Sequence, residues 1–252
     1  LVYDAALSNV NRTYVNSYLS TKYNIALGNN APIALSATST ITEDTASSLT
    51  LGYTDADGDN ATSCTVANAS GGALGACSCA VGVCTVTFTP STNLAGTGAG
   101  SFTFKVNDGN ADSSSATITL DITPVNDNPT ITAIADQYTV KNAAIFGINL
   151  SVDEGGGVDE NTQTLTVAAT SSNQAVVPNA NITVHWTDNG AGDASATTQP
   201  TIDIFPAANQ TGASTITVTV TDNLGLDVTT TFSVTVSNWN IPTSIAGLKL
   251  WL

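Results

Sequence analysis

Apolar and polar residues alternate over most of this sequence, and a period of two is typical of half-buried antiparallel β-strands. Turns rich in Gly, Asn and Asp interrupt the alternation about every ten residues, a spacing typical of a β-sandwich. The most regular segments have apolar residues at Phe102, Phe104 and Val106; Ile118, Leu120 and Ile122; Phe146, Ile148, Leu150 and Val152; Ile216, Val218 and Val220; and Phe232, Val234 and Val236. The pattern predicts an all-β protein.

Three junctions that contain proline divide the chain, at residues 28–32, 125–129 and 238–242. Proline fixes its own φ angle and extends the residue before it, so we predict short, stiff linkers there. The four resulting parts are an N-terminal segment (1–31), a first β-sandwich (32–127), a second β-sandwich (128–238) and a C-terminal segment (239–252).

The two predicted sandwiches contain related sequences. Residues 85–96 (TVTFTPSTNLAG) align without a gap to residues 201–212 (TIDIFPAANQTG), and a little further on Asp108 aligns with Asp222. Self-similarity at a fixed spacing predicts a tandem array of like modules.

One helix is predicted near the start, where Ser8 can cap it and apolar residues recur at helical spacing. Its apolar stripe consists of Val10, Tyr14, Val15, Tyr18 and Leu19. The last six residues, GLKLWL (247–252), form an apolar strand. Neither element has an obvious place in a sandwich. Two explanations stay open: both belong to neighbouring domains of a longer chain, or residues 241–252 dock head-to-tail onto residues 1–25 of another copy.

The charge balance excludes some partners. The 252 residues include 20 acidic and 5 basic residues, for a net charge of -15. Nucleic-acid binding needs Lys and Arg clusters, so we expect none, and no binding to an anionic membrane surface. No run approaches about 20 apolar residues, so we expect no membrane insertion. Residue 1 is Leu and Met is absent, so we expect a processed or excised piece of a longer protein.

Four cysteines lie close together in the sequence, which indicates disulfides and an oxidising compartment; free thiols and a zinc site are the alternatives. A two-residue hairpin turn at Val81-Gly82 places Cys79 directly opposite Cys84. We therefore predict the disulfide Cys79–Cys84, which leaves Cys64–Cys77 between neighbouring strands.

An acidic turn, DADGDN (55–60), offers closely spaced oxygen ligands of the kind that calcium prefers. An EF-hand is excluded, because position twelve of such a loop is Val66 and strands follow it. A solvated Asp-rich turn is the alternative to a calcium site.

Four motifs in order, ITEDT (41–45), YTDADGDN (53–60), FKVNDGN (104–110) and ITPVNDNP (122–129), resemble the cadherin-like tandem repeats of large bacterial surface proteins. The resemblance implies calcium at the domain junctions. The implied ligands are Asn30, Glu43, Asp55, Asp57, Asp59, Asp108, Asn126, Asp127, Asn128, Asp153 and Asp222.

The resemblance also implies where these ligands gather. Asp55, Asp57 and Asp108 are expected near Asn30 at the entry pole of the first sandwich. Glu43 is expected at the exit pole, near residues 126–128, where Asp153 and Asp222 of the second sandwich complete the junction. Residues 155–157 are glycines where the first sandwich has an acidic turn, so this junction is the weaker calcium candidate.

The flanks are similar to a third kind of domain. Residues 2–25 resemble the closing strand and helix of a laminin-G-type, concanavalin-like jelly roll, and residues 241–252 resemble the opening of another. The resemblance implies a segment cut between two such domains.

The sequence favours a structural or adhesive function over catalysis. Its one histidine, His185, lies in a strand-like run beside Trp186, and no other residues suggest a catalytic group. We therefore expect an extracellular, calcium-rigidified rod segment of a secreted bacterial surface protein or fibre. Its expected partners are neighbouring domains or like subunits, with cell-surface glycans or proteins as further candidates. The alternatives are a carbohydrate-binding accessory region of a secreted enzyme and a self-assembling filament subunit.

Overall fold

A computed structural model of the chain describes residues 9–23, 29–187 and 199–238. The chain divides into two compact units, residues 1–125 (unit 1) and residues 126–252 (unit 2). The C-terminal strand, the cap at Ser8 and most of the predicted jelly-roll flanks lie outside the described residues. Over the described ranges, no helix is both long and apolar enough to cross a bilayer.

The N-terminal helix, α1, spans Asn9–Tyr23. Of the predicted apolar stripe, Tyr14 and Tyr18 are exposed, whereas Val15 and Leu19 are partly buried. Lys22 donates a hydrogen bond to the Tyr18 hydroxyl, and its ammonium lies 4.9 Å from the centre of the Tyr18 ring.

Among the residues that the structure describes, unit 1 contains ten strands. They are β1 (Ile33–Ala34), β2 (Ala37–Thr42), β3 (Ser47–Leu51), β4 (Tyr53–Thr54), β5 (Ser63–Ser70), β6 (Gly72–Leu74), β7 (Ser78–Ala80), β8 (Val83–Pro90), β9 (Gly96–Asn107) and β10 (Ala116–Thr123). One sheet has the order β2-β10-β9-β5 and a second has the order β3-β8-β6, with β7 also paired to β8, while β1 and β4 form a short separate pair.

The described part of unit 2 contains nine strands and two single-turn 3₁₀ helices. The strands are β11 (Thr130–Ile131), β12 (Gln137–Val140), β13 (Ile145–Asn149), β14 (Val152–Asp153), β15 (Leu165–Ser171), β16 (Ile182–His185), β17 (Thr201–Ile204), β18 (Gly212–Asp222) and β19 (Asp227–Ser237). The 3₁₀ helices are Glu160–Thr162 and Asn179–Asn181. The sheet orders are β12-β19-β18-β15 and β13-β17-β16, and β11 pairs with β14.

The two units share one strand order, and in each the first strand of the larger sheet runs parallel to the last. These parallel pairs are β2 with β10 and β12 with β19. Because the first and last strands run the same way, the chain enters each unit at one pole and leaves it at the other. This geometry suits modules that follow one another along a chain.

Each unit has its own apolar core between its two sheets. The side chains that alternate inward in the sequence fill these cores, including Phe102, Phe104 and Ile118 in unit 1 and Ile216 and Val218 in unit 2. Burial of this apolar surface is the main stabilising term of a sandwich.

One predicted inward residue, Phe146, is 68% exposed. The register of β13 against β17 shifts between Ile145 and Ile148, where Gly147 has a φ angle of 67°. A bulge of this kind inserts an extra residue and turns the preceding side chain to the other face. Phe146 therefore packs edge-on against Phe205 on the surface, with ring centres 5.4 Å apart.

Candidate metal sites

An acidic turn follows β4, and we call residues 55–59 the first acidic turn. Asp55 Oδ1 accepts hydrogen bonds from the amides of Asp57, at 2.8 Å, and Asp59, at 3.1 Å. Gly58 supplies the bend, with a φ angle of 76°. The turn brings carboxylate oxygens of Asp55, Asp57 and Asp59 within 4.8 Å of one another. Within the described residues, Asp55 Oδ2 is buried and accepts no hydrogen bond.

The segment before the first sandwich lies against this turn. The amide of Asn30 donates to Asp57 Oδ2 at 2.6 Å, and the Asn30 side chain donates to both oxygens of Asp57. Asn29 donates to Asp108 Oδ2 at 2.9 Å, and Asn110 donates to Asn29 Oδ1 at 3.3 Å. The structure thus joins the predicted residues Asn30 and Asp57, and adds Asn29, which the sequence argument did not include.

Asp108 directly follows β9 and begins a tight turn. Burial alone would raise the pKa of its carboxyl group, but hydrogen bonds from the Ala111 amide, the Asn29 side chain and the Asn110 amide outweigh burial and hold the pKa below its ordinary value of 3.8. Asp108 is therefore an ionised ligand candidate at neutral pH.

Glu43 lies at the opposite pole of unit 1, as the sequence predicts from its position after Pro32. It is buried, its Oε1 accepts a hydrogen bond from the Val125 amide at 2.6 Å, and its own amide donates to the Thr123 carbonyl. Its predicted partners, residues 126–128, belong to unit 2. The shared junction site stays a prediction.

Unit 2 repeats the contact between a linker Asn and a buried Asp. Asn126 donates to Asp222 Oδ2 at 2.8 Å, and Gln163 donates to Asn126 Oδ1 at 2.5 Å. Asp222 Oδ1 accepts the amides of Leu224 and Leu226. Burial alone would raise the pKa of Asp222, but the bonds from Asn126 and Leu226 lower it.

The pairing of the short strands relates the acidic residues of the two units. Thr54 pairs with the residue after Pro32, and Asp153 pairs with the residue after Pro129. By this register Glu154, rather than Asp153, occupies the position of Asp55. Asp153 Oδ1 accepts the Gly155 amide at 3.0 Å and so shapes its own turn.

The loop after β14, which we call the second acidic loop (residues 153–163), holds acidic and amide side chains that the sequence argument did not include among the candidate ligands. They are Glu154, Asp159, Glu160 and Gln163, of which all but Asp159 are fully buried. Two predicted residues lie against the glycines of this loop: Asp127 Oδ2 is close to Gly156, and the Asn128 carbonyl is close to Gly155. The sequence signal was an acidic pair on each side of three glycines.

The cysteines form the two predicted disulfides, Cys64–Cys77 and Cys79–Cys84. Cys79 and Cys84 are directly opposite across the turn at residues 81–82, with Cα atoms 4.0 Å apart. With all four cysteines bonded, none is available as a zinc ligand.

The one histidine lies on the outer face of unit 2. His185 Nε2 is 2.9 Å from Asp203 Oδ2, and the His185 side chain is about half exposed. This pair is an exposed contact between neighbouring strands.

Comparison with known proteins finds a family match for the first sandwich. Residues 29–121 match the bacterial Ig domain family. No curated protein matches the chain.

Solved structures that this chain resembles include cadherin-type ectodomains and a bacterial adhesin. The human Desmocollin-1 ectodomain aligns with 84% of this chain and 41% of its own, at 12% identity and a TM-score of 0.45. Protocadherin gammaB7 EC3-6 aligns with 82% of this chain and 48% of its own, at 15% identity and a TM-score of 0.48. The Yersinia pseudotuberculosis adhesin InvE aligns with 81% and 58%, at 17% identity and a TM-score of 0.29.

The chain spans about half the length of these structures. The predicted resemblance to bacterial Ig-like domains is confirmed for residues 29–121, which match the bacterial Ig domain family.

Proposed function

We propose that this chain is a structural or adhesive segment of a large extracellular bacterial surface protein, rigidified by calcium at the poles of its sandwiches. The family match supports an extracellular structural or adhesive domain. Two disulfides agree with an oxidising compartment. Chain entry and exit at opposite poles of each unit suit a rod of modules in series, whose partners are neighbouring domains, like subunits or cell-surface molecules.

The observation that carries the calcium proposal is the first acidic turn with its contacts to residues 29–30. Three carboxylates within 4.8 Å of one another repel each other unless a cation balances them. Carboxylate and amide oxygens are hard ligands, which calcium binds six to eight at a time. Asp57 and Asp108 also hold Asn30 and Asn29, so a cation bound there would restrain the segment that enters the sandwich.

The test is thermal unfolding of the full chain with calcium and with a chelator. Calcium should raise the melting temperature, because an ion that binds only the folded state stabilises it. Asp57→Asn removes one charge at nearly constant shape and should abolish most of this rise. The matched control is Asp121→Asn, since Asp121 lies on a strand and its Oδ1 accepts the Gly98 amide, a bond that Asn preserves.

A chelator-independent melting curve would contradict the calcium proposal. If Asp57→Asn and Asp121→Asn reduce the calcium-induced rise in melting temperature equally, any bound calcium does not lie at the first acidic turn. Small-angle scattering of the full chain tests the rod: the proposal expects a more extended, less variable particle in calcium than in chelator.

A second candidate, carbohydrate binding, is favoured by the exposed aromatic pair on unit 2. Phe146 and Phe205 are 68% and 41% exposed, and Phe205 lines a shallow groove together with Asn142 and Asn181. Aromatic faces beside amides are typical of sugar contacts. Binding to a glycan array that Phe146→Ala abolishes would support this function, and an array with no bound glycan would remove it.

A further inference from the structure

We infer that the four cysteines of unit 1 form a thiol-exchange site, at which a small thiol attacks Cys77 and the two disulfides then exchange partners. The small thiol becomes bonded to Cys77, Cys64 becomes bonded to Cys84, and Cys79 is released as a free thiol. The ligand class is a low-molecular-mass thiol, and the inference does not depend on the calcium proposal.

The sulfur atoms of Cys64, Cys79 and Cys84 form one cluster. Each lies within 4.8 Å of the other two, although Cys64 belongs to one disulfide and the other two cysteines form the second. Of the four cysteines, all of them described by the structure, Cys77 alone lies outside this cluster. Bonded sulfurs are about 2 Å apart, a separation that rotation of the side chains can reach from here. Cys64 therefore has a second disulfide within its range.

The fold brings these sulfurs together from both sheets of unit 1. Cys64 lies on β5, an edge strand of the larger sheet, and Cys84 lies on β8, in the interior of the other sheet. Cys79 is directly opposite Cys84 in the β7–β8 hairpin. Cys64 and Cys79 pack against the same apolar core that contains Cys84. Because the core holds the sulfurs at short range, exchange among them has a high effective concentration.

Cys77 is the point at which an external thiol can enter. It lies in residues 75–77, between β6 and β7, is itself partly exposed, and has an exposed residue on each side. Attack on Cys79 would instead expel Cys84 as a thiolate, and Cys84 is 0% exposed. An apolar core disfavours a thiolate, so the Cys64–Cys77 bond is the one that opens first.

The exchange conserves the number of thiols and disulfides. In the first step the small thiolate bonds to Cys77 Sγ, the Cys64–Cys77 bond breaks, and its electron pair leaves with Cys64. In the second step the Cys64 thiolate bonds to Cys84 Sγ, the Cys79–Cys84 bond breaks, and Cys79 leaves as a thiolate. The Cys79 thiolate takes up the proton that the small thiol gave to water. One thiol and two disulfides react and one thiol and two disulfides result, so no oxidant or reductant is needed.

Burial decides which sulfur of the second disulfide Cys64 attacks. Attack on Cys79 would leave the thiolate on the fully buried Cys84. Attack on Cys84 leaves it on Cys79, which is partly exposed, so water stabilises the departing thiolate. The resulting Cys64–Cys84 bond joins β5 to β8 across the core, and the β7–β8 hairpin loses its own disulfide.

Two single variants of the full chain test the exchange between the disulfides. Cys77→Ser leaves a thiol at Cys64, inside the cluster, whereas Cys64→Ser leaves a thiol at Cys77, outside it. Both variants lose the same disulfide, so any general loosening of unit 1 is matched. After acid quenching, unfolding and alkylation with N-ethylmaleimide, tandem mass spectrometry of peptic peptides locates the free thiol. We expect at least about tenfold more alkylated Cys79 in Cys77→Ser, because only its thiol is close to the second disulfide.

Reduced glutathione added to the unmodified, oxidised chain tests the complete reaction. We expect glutathione on Cys77, a Cys64–Cys84 bond and a free thiol at Cys79, located by the same mass spectrometry. The control is the same reaction in denaturant, where the cluster is absent and glutathione should be distributed over all four cysteines. This experiment uses no substitution, so it decides the inference even if both variants fail to fold.

A thiol that stays on Cys64 in Cys77→Ser, or equal alkylation of Cys79 in the two variants, would overturn the exchange between the disulfides. Glutathione bonded mainly to Cys79 or Cys84 in the folded chain, or no glutathione adduct at all, would overturn the assignment of Cys77 as the point of attack.

Discussion

At the scale of single residues, the two units use one aspartate in the same double role. Asp108 and Asp222 each accept amides of their own turn through Oδ1 and a linker asparagine through Oδ2. The donor is Asn29 in unit 1 and Asn126 in unit 2. One oxygen therefore builds the turn after a long strand, and the other holds the segment that enters the sandwich.

The lowered pKa values of Asp108 and Asp222 predict acid sensitivity in the absence of calcium. A carboxyl group whose folded-state pKa lies below its unfolded value stabilises the fold above the unfolded value, and this stabilisation is lost as the pH falls through the folded pKa. Both pKa values are lowered from 3.8, so chelated protein should lose stability as the pH drops below about 4. Denaturant unfolding across this pH range should show that Asp108→Asn loses less stability than the unmodified chain. An equal loss of stability in the two proteins would contradict the prediction.

The hairpin residue Val81 predicts a stabilising substitution. Val81 and Gly82 have φ angles of 49° and 77°, and Val81 is 96% exposed. A branched residue is strained in this left-handed region, whereas Asn-Gly is the preferred pair for such a turn. Val81→Asn should raise the free energy of unfolding by about 1 kcal/mol. Val83→Asn, the same change in the adjoining strand, should not raise the free energy of unfolding. A destabilised Val81→Asn variant would contradict the argument.

At the scale of elements, alternation predicted the long strands well because burial on one face imposes it directly. Ile216, Val218 and Phe232 are all buried as predicted. The prediction for Phe146 was wrong, because a bulge of one residue reverses the alternation of inward and outward side chains. Gly147 alone does not distinguish a bulge from a regular strand.

The candidate sites were likewise predictable only where a regular sequence pattern determines the structure. The first acidic turn was predictable because its aspartates alternate within a few residues. The position of Glu160 was not predictable from the sequence, because it depends on the space that Gly156 leaves, and a contact across a loop has no sequence period.

The two disulfides predict different stabilisation, because they connect different elements. Cys64–Cys77 links β5 to the segment just before β7 across 13 positions, whereas Cys79–Cys84 spans 5 positions within one hairpin. A longer closed loop restricts the unfolded chain more, by about 3 kcal/mol against about 2. Two variants, one keeping each bond alone, can be unfolded before and after reduction. Reduction should destabilise the variant with Cys64–Cys77 by more, and the reverse order would contradict the entropic explanation.

At the scale of the whole molecule, the large negative net charge affects the stability of the folded chain. A net charge of -15 on 252 residues leaves the folded chain with uncompensated repulsion. Such charge favours solubility and opposes compactness. Cations can relieve the repulsion in two ways, by general screening and by coordination at the acidic poles.

The effects of general screening and of coordination can be distinguished by varying the salt concentration. Sodium chloride should raise the free energy of unfolding, because screening weakens repulsion more in the compact state than in the expanded chain. This rise should level off at high salt, where the screening length falls to a few ångströms. Calcium added at that point should still stabilise the protein, whereas magnesium at the same concentration should add less, because only coordination then remains. Denaturant unfolding at low and high salt, with each ion in turn, gives the comparison. Stability that falls with sodium chloride would contradict the charge argument, and calcium and magnesium effects that both vanish at high salt would reduce the role of calcium to screening.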